Sequence, residues 1–181
     1  LGDVYKRQET DGVLVLDTEK MTGMDGKEYT PAQGVVSSGD YITEVNHQKI
    51  EGKKQLMDLV EHLDGEKVLL TVRRENTILE KKLTPVQISK GNYRLGIWVR
   101  DNVQGLGTIT FLTKNNRFAA LGHGIHDIDT STLLTIKRGT LYRTSIQKVQ
   151  KGSKGNPGTM EGIIVYNRFH QLGAVSYTHL R

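Results

Sequence analysis

Ser38-Gly39-Asp40-Tyr41-Ile42-Thr43-Glu44-Val45-Asn46 is the most informative sequence for the structure of the first half of this chain. The Gly39-Asp40 pair predicts a tight turn, because glycine and aspartate favour turn conformations. Residues 41–45 then predict a β-strand, and Asn46-His47 predicts the turn that ends it. The stretch is therefore interpreted as one strand of a sheet, bounded by a turn at each end.

The segment before this strand supplies two further elements. Residues 12–16, Gly-Val-Leu-Val-Leu, predict a short strand. Thr30-Pro31 predicts the start of a short helix, since threonine is a good helix cap and proline is tolerated in the first helical turn.

The segment after it supplies a helix and two strands. Residues 53–63 have the apolar spacing of an amphipathic helix that Gly65 ends. The apolar positions of this helix are Leu56, Leu59, Val60 and Leu63. Residues 67–74 alternate as a half-buried strand, and residues 78–83 predict a partner strand across a turn.

Composition narrows the possible functions. The chain has 181 residues, 36% of them hydrophobic, which is enough for a packed core. It has no apolar run long enough to suggest a membrane segment. It contains no cysteine, which excludes disulfides, thiolate catalysis and cysteine-bound zinc.

The net charge of +5 raises the question of nucleic-acid binding. A basic stretch without acidic residues lies between Asp129 and Glu161, but Tyr142 is its one aromatic residue. Nucleic-acid binding would be expected to add interleaved aromatic residues or a docking motif. A solvated strand face is therefore favoured, and no nucleic-acid partner is predicted.

The second half of the chain is predicted to be a β-rich barrel. Its predicted strands are residues 93–101, 107–112, 118–121, 132–136, 141–146 and 163–166. The turn at residues 152–158 is rich in glycine, but it lacks the Gly-Lys-Ser/Thr ending of a phosphate-binding loop.

His123 is the main candidate for chemistry. It follows the short apolar strand at 118–121 and stands between Gly122 and Gly124, which allow close approach to the backbone. Such a position suits a catalytic imidazole, and it equally suits a histidine that only hydrogen-bonds a loop. A metal site is a weaker alternative, because hydrolytic sites usually draw a further ligand from elsewhere. Its candidate ligands would be His123, His126, Asp127 and Asp129, with His170 the one further histidine at hand.

Residues 10–83 resemble a bacterial PDZ domain. The resemblance rests on the order of elements and on Pro31-Ala32, Ser38–Ile42, Val45-Asn46 and Val72-Arg73-Arg74. It implies that a peptide adds as a strand beside residues 12–16, and that a pocket against the helix gives selectivity. The implied peptide-binding residues are Gly12, Val13, Leu14, Val15, Leu56, Leu59, Val60 and Leu63. The alternative for the helix positions is that they are simply core.

A second resemblance covers the rest of the chain. Five motifs occur in one order: 96–101 (Gly-Ile-Trp-Val-Arg-Asp), 105–111, 120–123 (Ala-Leu-Gly-His), 127–130, and 151–152 (Lys-Gly) with 155–158 (Gly-Asn-Pro-Gly). This series resembles the SpoIVB family, the stage IV sporulation serine peptidases of endospore-forming bacteria, in which a PDZ domain directly precedes the peptidase domain. The resemblance implies a chymotrypsin-like β-barrel, with His123 as the catalytic histidine and no metal or other cofactor.

The same resemblance implies a nucleophilic serine in a Gly-Ser-Gly-type context beyond the histidine. This chain has no such motif, so the fragment itself is expected to be inactive. Asp127 and Asp129 are expected to shape the loop, since the acidic partner in two-barrel peptidases usually comes from much later in the sequence. The parent would cleave itself and a membrane-complex protein that holds back sigma-factor processing. It would act between the membranes around the forespore, anchored by a preceding segment.

The two ends, residues 1–8 and 176–181, resemble translated sequencing-adapter sequence, so neither end is expected to be natural. The predicted organisation is a PDZ domain at residues 9–90 and the N-terminal part of a serine peptidase domain at residues 91–175. The predicted fold class is mainly β with a small α contribution, a PDZ domain followed by a truncated chymotrypsin-like β-barrel. The alternative function is a non-catalytic PDZ module fused to a β-domain that only binds peptides.

Overall fold

The computed structural model of the chain describes residues 3–62, 65–115, 117–121, 125–127 and 129–176. These residues form two compact units. Unit A comprises Glu9–Asn102 and Ile125–Ile136, and unit B comprises the described residues of Leu1–Gln8, Val103–Gly124 and Lys137–Arg181.

Strands dominate the described residues, and a single short helix accompanies them, which confirms the predicted fold class of mainly β with a small α contribution. The elements are β1 (Asp3–Thr18), β2 (Met21–Thr22), β3 (Glu28–Tyr29), β4 (Tyr41–Val45), β5 (Gln48–Lys49), α1 (Lys53–Glu61), β6 (Val68–Arg74), β7 (Thr77–Leu83), β8 (Val86–Ser89), β9 (Asn92–Arg94), β10 (Ile97–Leu112), β11 (Phe118–Leu121), β12 (Ile136–Gln150), β13 (Thr159–Ile164) and β14 (Gln171–Ser176).

The sheet of unit A is antiparallel, with β1, β4, β6 and β7 as successive neighbours. Val13 pairs with Ile42, and Ile42 pairs in turn with Val72. Because side chains alternate along a strand, these three residues point to the same face of the sheet. The predicted strands at 41–45, 67–74 and 78–83 correspond to β4, β6 and β7.

The core of unit A lies between this face of the sheet and α1. Val13 and Val15 contribute from β1, and Leu56 and Val60 contribute from the helix. The buried core cluster comprises Val13, Val15, Ala32, Val36, Ile42, Val45, Ile50, Leu56, Val60, Val68, Leu70, Val72, Leu83 and Leu95. Burial of these apolar side chains is the main source of stability for the unit.

The opposite face of the sheet is also buried around Leu14 and Tyr41, which pair across β1 and β4. Leu14 is fully buried and Tyr41 is 3% exposed, yet neither belongs to the core cluster. The Thr135 backbone N–H donates to the Tyr41 hydroxyl at 3.2 Å, and neighbouring Leu134 is buried. Thr135 thus contacts this face, and residues 13–15 of β1 are buried on both sides of the sheet.

Three local predictions were wrong, each for a visible reason. The helix predicted from Thr30 is a series of turns, since Gly34 has a φ of +74° that ends helical propagation. The strand predicted at 93–101 is interrupted at Gly96, whose φ is +67°, and β10 then continues to Leu112. Residues 132–136 were predicted to be a strand, but before Ile136 they make only an isolated bridge between Leu133 and His126.

Unit B contains two antiparallel arrangements of strands. Strand β10 pairs with β11, and β12 pairs with both β13 and β14. Among the residues whose burial is described, Leu141 is the one buried hydrophobic side chain of this unit. The described strands of unit B do not close into a barrel. Within the described residues, no helix has the length and apolar character that crossing a membrane requires.

Candidate functional site

His123 lies outside the described residues, together with Gly122 and Gly124. The strand predicted before it is confirmed as β11, in which Ala120 pairs with Ile109 of β10. The Thr110 hydroxyl donates to the Ala119 carbonyl at 2.9 Å and adds a side-chain contact to this pairing. Strand β11 therefore ends just before the Gly-His-Gly sequence, and the catalytic role of His123 stays a prediction.

From Ile125 onward, the described residues form a tight loop organised by Asp127. The carboxylate of Asp127 accepts hydrogen bonds from the backbone N–H groups of Asp129 and Thr130, both at 3.0 Å. The Asp127 N–H donates to the Thr132 carbonyl at 2.9 Å, and the Leu134 N–H donates to the Ile125 carbonyl at 2.8 Å. A single buried carboxylate thus fixes the local shape of the loop.

Arg100 of β10 joins the loop from the sheet. Its guanidinium donates to the Asp127 carboxylate through Nη1 and to the Asp129 carboxylate through Nη2, the latter at 2.9 Å. The Asp127 side chain is fully buried, whereas that of Arg100 is 34% exposed. The pairing neutralises a buried charge, which would otherwise be costly.

Asp101, the next residue of β10, performs a different task. Helix α1 starts after Gly52, which has no side chain to cap the free N–H groups of the first turn. The Asp101 carboxylate accepts from the Lys53 N–H at 2.8 Å and so serves as the cap from another element. Because neighbouring side chains in a strand point to opposite faces, Arg100 contacts the loop while Asp101 contacts the helix.

Several residues of the alternative metal site make other contacts in the structure. Arg100 binds the carboxylates of both Asp127 and Asp129. His126 is exposed, and His170 Nδ1 lies 2.7 Å from the Asn167 side-chain oxygen. No group of three potential ligands occurs within the part of the chain that the structure describes. Since His123 is not in that part, the alternative stays untested.

The predicted peptide-binding strand is well defined. Gly12 has a φ of +87°, and Val13, Leu14 and Val15 are fully buried. On one edge, Val15 N–H donates to the Asp40 carbonyl at 2.8 Å. On the other edge β1 has β10 as its neighbour in the strand order, and β12 also pairs with β1. An added peptide strand would need access to that second edge, so the binding role of residues 12–15 stays a prediction.

Of the four helix residues predicted to bind a peptide, three are described by the structure, and all three contribute to the core. Leu56 and Val60 are buried in the core, and Leu59 packs against it partly buried. Leu63 lies outside the described residues. The core role proposed as the alternative thus applies to Leu56 and Val60, and a selectivity pocket against the helix stays a prediction.

A separate open groove of about 660 Å³ lies beside the β2–β3 hairpin, and none of the predicted site residues lines it. The Tyr29 hydroxyl in its wall donates to the Asp25 carboxylate at 2.8 Å. This hydrogen bond lowers the pKa of Asp25 and raises the pKa of Tyr29. Gly23 permits this arrangement, because a Cβ there would lie 2.7 Å from the Tyr29 ring.

Arg74 and Asp40 form a second ion pair of unit A in which the carboxylate is buried. Arg74 donates through Nε and Nη2 to the two carboxylate oxygens, at 2.7 and 2.8 Å, and the Asp40 side chain is 1% exposed. The pair raises the pKa of Arg74, chiefly through the hydrogen bond to Asp40. It holds the turn at Ser37, whose N–H also donates to Asp40.

Residues 91–179 match the family described as SpoIVB peptidase S55. A Helicobacter pylori strain J99 protein, named as a candidate zinc metalloprotease, is 31% identical over 110 residues. That match covers 54% of this chain and 31% of that protein, so the chain spans less than a third of the relative's length.

Two solved structures also resemble the chain. Both are PDZ domains of SdrC-like proteins. The one from Listeria monocytogenes is 23% identical, with a TM-score of 0.40, and covers 49% of this chain and 87% of that chain. The one from Listeria innocua is 26% identical, with a TM-score of 0.41. This match covers 50% of the present chain and 94% of the Listeria innocua chain.

Proposed function

We propose that this chain, a SpoIVB-like PDZ plus peptidase region, is part of a serine endopeptidase in which His123 is the general base. The observation that carries the proposal is the family match over residues 91–179, which includes His123 and the segments on either side of it. In the sequence, His123 stands between strand β11 and the loop organised by Asp127.

In the proposed mechanism the His123 imidazole takes the proton of a serine hydroxyl as that oxygen attacks the scissile carbonyl. It then returns the proton to the leaving amine. The serine would come from a Gly-Ser-Gly-type segment of the parent protein, since this chain contains no such sequence. The chain by itself is therefore expected to be inactive.

The proposed role of the PDZ domain is to control cleavage by binding a peptide segment of the parent or of its partner. Addition of a strand beside residues 12–15 would supply main-chain hydrogen bonds, and the α1 side would select side chains. The substrates would be the parent itself and a membrane-complex protein whose cleavage releases sigma-factor processing. The site of action would be the space between the two membranes around the forespore.

A non-catalytic peptide-binding module is the second candidate. Unit A favours it, because this unit has a continuous core that includes both β1 and α1. Under this alternative the β-rich second half would serve only as an attached domain, and His123 would hydrogen-bond its own loop.

The test uses the parent protein, recovered by reading the gene outward from both ends of this sequence. We expect His123→Ala to abolish self-cleavage with the fold retained, and His126→Ala to be much milder. Circular dichroism and thermal unfolding of both variants provide the control for folding. Equal loss of activity in both variants would favour the alternative metal site.

Chelation separates the remaining possibilities. The proposed enzyme retains its activity in the presence of a zinc chelator, whereas a zinc peptidase, the class named for the Helicobacter pylori relative, would lose it. A parent that binds peptides but cleaves nothing under any condition would support the non-catalytic module.

A further inference from the structure

We infer that the exposed side of the β12–β13 hairpin, together with the turn that follows β13, docks on the surface of an anionic lipid bilayer. This docking surface lies within residues 143–170, all of which belong to unit B. The inference goes beyond the proposed function and does not depend on it, because it concerns an interaction surface and not the chemistry of peptide cleavage.

The charge of the chain is divided unevenly between the two units. The ranges of unit B contain twelve lysines and arginines and two acidic residues, whereas those of unit A contain thirteen and eighteen. The formal charges are therefore +10 and −5, which together give the +5 of the whole chain. Without residues 1–8 and 176–181, unit B still carries +8. A unit with this charge attracts anionic surfaces.

One face of the hairpin presents a large apolar side chain to water among charged and polar neighbours. Lys148 of β12 pairs with Glu161 of β13, and Ser145 pairs with Ile163. Because Glu161 and Ile163 are two residues apart in one strand, these two pairs lie on the same face. All four residues are exposed, Ile163 by 57%. A face that is only solvated would have no need of an aliphatic side chain at this position.

The turn at the end of the hairpin adds two lysines. Backbone hydrogen bonds run in both directions between Ser153 and Asn156, at 2.8 and 2.9 Å, and close the turn. Lys151 and Lys154 are exposed there, and no acidic residue occurs from residue 130 to residue 160. Within the part of the chain that the structure describes, neither lysine forms an ion pair. Their charges are therefore available to an anionic partner.

An exposed aromatic side chain lies in the turn after β13. Phe169 is 95% exposed and follows Arg168, which is also exposed. Backbone hydrogen bonds fix this turn: the His170 N–H donates to the Asn167 carbonyl at 3.2 Å, and the Arg143 N–H donates to the His170 carbonyl at 2.8 Å. The phenylalanine ring would lose its contact with water on entering the boundary region of a bilayer, which is favourable.

The combination of cations with large apolar side chains identifies the partner. The large apolar residues exposed on the docking surface are Val149, Ile163, Val165, Tyr166 and Phe169. Surfaces that bind the membrane interface combine lysine and arginine with such residues, since the cations attract anionic headgroups while the apolar side chains enter the acyl boundary. A nucleic acid would use the cations but leave the aliphatic side chains in water. A second copy would bring another +10 unit against the first, which like-charge repulsion opposes.

The first experiment measures co-sedimentation of the present chain with lipid vesicles. We expect binding to vesicles made of equal parts phosphatidylcholine and phosphatidylserine, and little binding to phosphatidylcholine alone. The affinity should fall by about tenfold or more when NaCl rises from about 0.05 M to about 0.3 M, because salt screens the attraction. Equal binding to both kinds of vesicle, or binding to neither, would overturn the inference.

The second experiment removes the cations of the hairpin. It replaces three lysines together, Lys148→Gln, Lys151→Gln and Lys154→Gln. The affinity for the anionic vesicles should fall by about a hundredfold, since each cation near a charged membrane contributes about fivefold.

The matched control removes the same number of charges from unit A. It replaces three exposed lysines of that unit by glutamine, Lys54, Lys67 and Lys90. The affinity should stay within about threefold of the wild-type value, because these lysines lie outside the docking surface. An equal loss in both triple variants would assign the binding to net charge alone and would refute this surface.

The third experiment removes the exposed ring. Phe169→Ala should weaken binding to the anionic vesicles by about tenfold, because the apolar area that enters the interface is lost. Ile78→Ala is the control, since Ile78 is 58% exposed in unit A, and its affinity should be unchanged. Thermal unfolding of each variant checks that the fold is retained. Unchanged binding in Phe169→Ala would contradict insertion of the turn.

Two further measurements test the other partners. A chain that binds a DNA duplex but no vesicles would assign the surface to nucleic acid and overturn the inference. A dimer in sedimentation velocity that Phe169→Ala dissociates, without vesicle binding, would assign it to a second copy and overturn it equally. All these experiments use the present chain, so an inactive parent protein would refute the proposed function and leave the docking result unaffected.

Discussion

Replacing Leu14 by alanine tests whether the second face of the unit A sheet is buried. Leu14 is fully buried but lies outside the core cluster, on the face where Thr135 donates to the Tyr41 hydroxyl. A sheet covered by the helix alone would leave this face in water. The substitution therefore distinguishes a sheet buried on both faces from a sheet buried on one.

The expected loss follows from the atoms removed. Leucine to alanine deletes the equivalent of about three methylene groups, at about 0.8 kcal/mol each, which gives about 2.4 kcal/mol. The cavity left behind adds to this value, so we expect a decrease of about 3 kcal/mol in the free energy of unfolding. An exposed leucine would cost less than about 0.5 kcal/mol.

The measurement is urea unfolding followed by tryptophan fluorescence. Trp98 is the single tryptophan of the chain and belongs to unit A, so the signal reports on that unit. Ile78→Ala is the control, because Ile78 pairs with Arg73 in the same cross-strand row but is 58% exposed. A change below about 1 kcal/mol in Leu14→Ala, with Ile78→Ala equally mild, would refute burial of the second face.

Two further predictions concern unit A. Gly12→Ala should destabilise the unit by at least about 2 kcal/mol in the same unfolding assay, since a left-handed φ is unfavourable for alanine. A Cβ at this position would also lie 2.4 Å from the Ile42 carbonyl oxygen, and an unchanged stability would contradict this reasoning. Tyr29→Phe should raise the pKa of Asp25 toward its ordinary value of 3.8, because the Tyr29 hydroxyl is the largest cause of the lowered value. The hydrogen bond thus stabilises the folded state at a pH above the ordinary pKa of Asp25, and this contribution is lost as the pH falls through the pKa of the folded state. NMR titration of the Asp25 carboxyl carbon measures this pKa. An unchanged pKa of Asp25 in Tyr29→Phe would refute the prediction.

Much of the unit A fold could be predicted from local patterns. Alternation of apolar residues located β6, and turn residues located both ends of β4. The continuous apolar run Val13-Leu14-Val15 also indicates burial on both faces of the strand, which the sequence analysis did not consider. Such a run is typical of a strand buried on both faces, whereas a half-buried strand alternates. It would have predicted that a further segment covers the second face.

The rest depended on contacts between residues far apart in sequence. Arg100 and Asp127 each occur in a motif of the family resemblance, but their pairing arises from tertiary folding and no local pattern indicates it. The Asp101 cap of α1 is similar, since the residue before the helix is Gly52 and the capping carboxylate is 48 residues away from Lys53. The helix predicted at Thr30 was wrong because local capping signals were outweighed by Gly34.

The most direct test for a serine peptidase with His123 as its general base is labelling of the parent protein with a fluorophosphonate, a reagent that reacts with activated serine hydroxyls. We expect the wild-type parent to be labelled on one serine in a Gly-Ser-Gly-type context. A chelator should not prevent this labelling, and His123→Ala should abolish it. Equal labelling of the wild type and His123→Ala, or no labelling of a folded wild-type parent, would contradict a serine peptidase with His123 as its general base.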